Sequence, residues 1–108
     1  MILLIILILL FTPSISYAEN SIEKSICDAI YIIEGKEKAR QPFGIETIEC
    51  VTYEKCEQIC HNTVRNNIVR FKKQDEEKDF HVFLGKRYCP PNWKVWVKNL
   101  KFYLEKEK

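Results

Sequence analysis

Glu34 is the residue in this chain best placed to do chemistry. It closes the apolar run Ala29-Ile30-Tyr31-Ile32-Ile33 and is followed at once by Gly35. It follows Ile30 by four and Cys27 by seven, so on a helix it borders the apolar stripe. Burial and the negative end of a helix dipole both disfavour a carboxylate anion. Both effects favour an acid still partly protonated near neutral pH, which is what a general acid requires. Glycoside cleavage uses an acid of this kind to protonate the leaving oxygen. Residue type and spacing alone favour a plainer role, that of a surface residue in the last turn of a helix.

Other chemistries find less support. There is no Gly-rich phosphate loop and no Ser or Cys in a nucleophile turn. Cys60 and His61 are sequence neighbours whose side chains diverge on a helix, so a thiolate–imidazole pair would need His81 from elsewhere. Cys56-x-x-x-Cys60-His61 has a zinc-like look, but no second cysteine pair follows at finger spacing. Neither a metal nor a cofactor is expected. Glu46, Glu49 and Glu57 are the carboxylates near Glu34 in sequence, and none carries a motif.

The elements that must position Glu34 follow from periodicity. Ile22, Ile26, Ala29, Ile30 and Ile33 predict a first helix over 21–34, with Asn20 and Glu23 at the spacing of a capping box and Gly35 in the left-handed closing position. Residues 35–51 hold Gly35, Pro42 and Gly44 and predict a structured loop, with a short extended piece over 45–51. Tyr53, Cys56, Ile59, Cys60, Val64, Ile68 and Phe71 predict a second helix over 53–71. Asp79 caps a short third helix that stops at Gly85. A last helix opens at Asn92, with Trp93, Trp96, Val97, Leu100 and Leu104 on its buried stripe. On that stripe the two tryptophans read as core, not as sugar-stacking platforms. The expected fold is mainly α, about four helices with a small irregular or β insert after the first.

Ile2 to Phe11 is an unbroken apolar run of ten, followed by Ser16-Tyr17-Ala18. That pattern predicts a secretory leader cut after Ala18 and export to the periplasm or the extracellular space. The run is shorter than the ~20 residues a membrane span needs. Residues 19–108 then form one domain. Its five cysteines (Cys27, Cys50, Cys56, Cys60 and Cys89) make disulfides the default after export, with one thiol left over. The formal charge of +2 is too small to argue for nucleic acid, and Lys72 to Lys78 reads as a solvated run.

Several segments in order carry a resemblance. Ala29 to Gly35 with Phe43-Gly44-Ile45, then Ile59 to Asn67, Arg87 to Trp93, and Trp96 to Leu100 resemble the lysozyme-like superfamily of lytic transglycosylases and phage-type lysozymes. Where that family carries Ser after its catalytic Glu, Gly35 stands here. Its Gly-Leu-Met-Gln turn is matched only by Phe43-Gly44-Ile45-Glu46, without the Gln. The resemblance implies a lysozyme-like α+β fold and cleavage of the β-1,4 glycan strands of peptidoglycan, with Glu34 as general acid and base. It implies that Phe43, Gly44 and Ile45 wall the cleft, that Tyr31 lines it, and that Arg40 and Gln41 touch substrate. Cys60 and Cys89 lie in the resembling segments and are the first disulfide expectation, closing a loop worth about 3–4 kcal/mol. Cys50–Cys56 is the second, leaving Cys27 over. The rival reading is a non-catalytic, disulfide-stapled exported binding protein or effector on the same scaffold.

Overall fold

The computed structural model describes residues 21–47 and 49–106. The expected leader, the Asn20 cap and Ile48 lie outside them. Helix α1 is described over 21–33, α2 is Tyr53–Lys72, α3 is Phe80–Tyr88 and α4 is Trp93–Lys106. Two 3-10 turns, Lys36–Lys38 and Pro42–Gly44, stand between α1 and α2, and no strand occurs among the described residues. The chain is thus mainly helical. The insert takes the irregular form, and its expected extended piece is a turn, with the Cys50 N–H donating to the Thr47 carbonyl.

Local chemistry accounts for most of the boundaries. α1 ends where Gly35 adopts φ 107, the left-handed position anticipated for it. The Thr52 side chain accepts from the Lys55 N–H and opens α2. The Asp79 side chain accepts from the N–H groups of His81 and Val82 and opens α3. One boundary differs from expectation: α3 runs through Gly85 to Tyr88. Gly85 is buried where an added Cβ would overlap Val97 Cγ2, so it permits close approach of α4 and does not terminate α3.

Glu23 ties α1 to α2. Its side chain accepts two hydrogen bonds from Arg65 of α2, at 2.8 and 3.0 Å. Tyr31 further along α1 meets Tyr53 at the start of α2, with ring centroids 5.4 Å apart. Residue numbers rise on one helix as they fall on the other, so α1 and α2 are antiparallel. Between them the core gathers Ile26, Cys27, Ile30, Cys60 and Val64, joined by Leu84 of α3 and Trp96, Val97 and Leu100 of α4. Removing such side chains from water, at about 25 cal/mol per Å² of apolar surface, is the main term holding the helices together.

The disulfide is Cys50–Cys56, with Cα atoms 4.7 Å apart. The first expectation, Cys60–Cys89, is not met: Cys27, Cys60 and Cys89 are all free thiols. Cys60 is fully buried and its thiol meets that of Cys27, whereas Cys89 is half-buried at the end of α3.

Candidate active site

Glu34 stands just past the last turn of α1, its N–H donating to the Ile30 carbonyl at 2.9 Å. Its side chain is half-buried. The indole Nε1–H of Trp96, 62 residues away on α4, donates to Glu34 Oε1 at 3.2 Å. No lysine, arginine or histidine among the described residues pairs with it.

Gly44 closes the other side. A Cβ added there would stand 2.7 Å from Glu34 Cδ and 2.8 Å from Oε2, so the carboxyl group packs directly against the glycine. The Pro42–Gly44 turn reaches this position by an unusual backbone. Phe43 has φ 60 and Gly44 φ 70, both left-handed. For Phe43 that conformation costs about 1–2 kcal/mol, and surrounding contacts must hold it. Its ring is buried against Tyr31 at 5.2 Å and Tyr53 at 5.6 Å. Its carbonyl accepts from the Tyr88 hydroxyl at 2.5 Å.

Tyr88 also stacks on Trp96, with centroids 5.1 Å apart and planes 22° off parallel. Burial first, then the neighbouring Cys60 and Glu34, push its phenol well above the usual range. Tyr88 therefore stays a neutral donor at ordinary pH. One phenol thus fixes the turn that abuts the acid and supports the indole that donates to it.

The sequence-derived residues divide accordingly. Glu34 and Gly44 meet directly, and Tyr31 buttresses Phe43. The Phe43 ring points into the aromatic cluster, so of the three turn residues expected to wall the acid it is Gly44 that abuts it, while Ile45 lines the neighbouring groove. The Gln41 carbonyl accepts the Gly44 N–H at 3.0 Å, which shapes the turn. Arg40 is exposed and lies 3.9 Å from Glu46. Of the other nearby carboxylates, Glu57 accepts from the Tyr53 hydroxyl at 3.3 Å. Trp96 and Tyr88 stand beside the acid and its turn; periodicity assigned Trp96 only to packing and gave Tyr88 no place. Their one sequence signal was membership in the resembling segments.

Gly44 and Ile45 continue into a groove of about 380 Å³, lined also by Thr63, Asn67, Arg70, Arg87 and Tyr88. Asn67 is buried and donates to the Thr63 carbonyl at 2.8 Å. Its Oδ1 lacks a partner among the described residues. The Arg87 guanidinium lies over the Phe83 ring, 5.8 Å from its centroid. A larger groove of about 520 Å³ lies between the opening turns of α1 and the end of α4 and carries none of these groups. No cluster of three or more His, Cys, Asp or Glu able to hold a metal occurs among the described residues. None of their helices is long and apolar enough to cross a membrane.

No protein-family model, curated protein or solved structure matches this chain.

Proposed function

We propose that the protein is an exported lysozyme-like enzyme that cleaves the β-1,4 glycan strands of peptidoglycan, as a glycosidase or lytic transglycosylase, with Glu34 as general acid and base. One observation carries the reading. The Phe43-Gly44-Ile45 turn folds back so that Gly44 abuts the Glu34 carboxyl group, while Trp96 holds its Oε1. An acid that merely ended a surface helix would need neither contact.

The geometry suits the chemistry. An indole N–H only donates, so Oε1 serves as its acceptor and Oε2 is the oxygen left to carry the transferred proton. Oε2 gives that proton to the glycosidic oxygen as the bond to the anomeric carbon breaks. The carboxylate then takes a proton from the group that adds to that carbon. In hydrolysis this group is water. In transglycosylation it is the sugar's own C6 hydroxyl, which closes an internal ring. The groove beyond Gly44, which Glu34 itself does not line, holds Arg70 and Arg87 beside Glu46, and the two arginines would pair with carboxylates carried by the strand.

The test is release of soluble muropeptides from purified sacculi. Wild-type protein is expected to release them, with products lighter by one water if ring closure operates. Glu34→Gln should lower release by at least about 100-fold, with an unchanged thermal midpoint. Wild-type protein that sediments with sacculi and releases nothing would sink the catalytic reading and leave the binding protein or effector in its place.

A further inference from the structure

We propose that Cys27 and Cys60 form a second, fully buried disulfide that joins α1 to α2, leaving Cys89 as the one free thiol of the chain. The register of the two helices sets the two cysteines opposite each other. Glu23, Cys27 and Tyr31 lie four apart on one face of α1. Glu23 is bonded to Arg65, and Tyr31 meets Tyr53. Cys27 is the rung between these two, and the rung opposite it on the antiparallel α2 is Cys60. Both side chains are 0% exposed. Both belong to the one buried core cluster of the fold, and the Cys60 thiol is near enough to raise the Cys27 thiol above its ordinary range.

The remaining cysteines offer no competing pairing. Cys50 and Cys56 are already joined, and Cys89 sits half-buried at the end of α3. Surroundings that keep Cys50–Cys56 oxidised also suffice for a bond sheltered from dissolved reductants. The step is thiol–disulfide exchange with a small-molecule or protein disulfide as oxidant. One thiolate attacks the oxidant, giving a mixed disulfide and one released thiol. The second cysteine then displaces the other half. Two S–H bonds and one disulfide become the Cys27–Cys60 bond and two thiols of the reduced oxidant.

The contact with Cys60, and then burial, push the Cys27 thiol far above its ordinary range. The folded core therefore starves the exchange of thiolate. The bond forms while the chain folds, and afterwards it resists reduction until the chain opens.

The alternative is that two thiols serve only as small apolar core residues. Refolding the reduced protein in mixed oxidised and reduced glutathione, then denaturing and alkylating without reduction, separates the two. One alkylated cysteine is expected, Cys89. Digestion with trypsin and a glutamate-specific protease, which cuts after Glu57 between Cys56 and Cys60, should yield Cys27 linked to Cys60. Three alkylated cysteines, or any link to Cys89, would overturn the proposal. The double variant Cys27→Ala, Cys60→Ala should lose on the order of 10 °C of oxidised thermal midpoint and all reductant sensitivity beyond that of Cys50–Cys56. If that variant does not fold, the wild-type linkage map decides alone.

Discussion

The Gly44–Glu34 contact makes a prediction that separates function from stability. Gly44→Ala would place a methyl group 2.7 Å from Glu34 Cδ. The clashing atoms are the end of a flexible side chain, so the carboxyl group swings away and loses the Trp96 N–H. The left-handed φ adds about 1–2 kcal/mol of strain. Muropeptide release should fall by about 100-fold, while the circular-dichroism spectrum stays helical. Full activity in this variant would show that Gly44 does not shape the acid's surroundings. At this scale the sequence was legible in part. Glu34, the left-handed Gly35 and the Phe43-Gly44-Ile45 turn all stood out within one short segment. Trp96 and Tyr88 did not. Periodicity marks which face of a helix is apolar, but not which distant side chain that face will meet.

Among the elements, α3 and its junction with α4 make the pH-sensitive part of the fold. Asp79 caps α3 and accepts from Lys101 of α4 at 2.6 Å. That contact, aided by the backbone N–H groups of Val82 and His81 and opposed by burial, holds its carboxyl below the ordinary 3.8. Burial likewise lowers His81 below its ordinary 6.5, against the pull of Asp79. Both groups bind protons more readily in the unfolded chain, so both make stability fall with acid. His81 costs stability as pH drops past 6.5 towards its folded value. Asp79 costs stability as pH falls through its own folded value below 3.8. Thermal midpoints between pH 8 and 3 should therefore decline in two steps. His81→Gln should remove the first and Asp79→Asn the second. A wild-type profile flat across both windows would contradict this. Sequence placed the α3 cap correctly because capping is local. It misplaced the end of the helix because Gly85 answers to Val97, a tertiary neighbour invisible to a local rule.

For the molecule as a whole, the α1–α2 interface contains a charge that must stay compensated. The Glu23 side chain is 1% exposed and its partner Arg65 about half exposed. His61 lies 3.6 Å from the same carboxylate. Arg65→Met should cost about 3 kcal/mol, read from urea denaturation, because it leaves a buried carboxylate without its fork of donors. Adding Glu23→Leu should recover most of that loss. If the double variant were no more stable than the single, the pair would not be coupled. The mainly helical architecture was readable from the four apolar stripes. The cysteine pairing was readable only in part: Cys50–Cys56, the second expectation, is the disulfide, whereas Cys60–Cys89 is not, because five thiols admit many pairings until the helices choose their register.

The Cys50–Cys56 link spans the start of α2, with Val51 78% exposed inside its loop. A protease that cuts the chain beside Val51 therefore frees nothing. The two pieces stay one particle, with the Cys50 end of the cut chain still moored to α2 through Cys56. At an exposed bond of its loop the molecule carries a built-in suture, which makes such a wound silent in protease-rich surroundings.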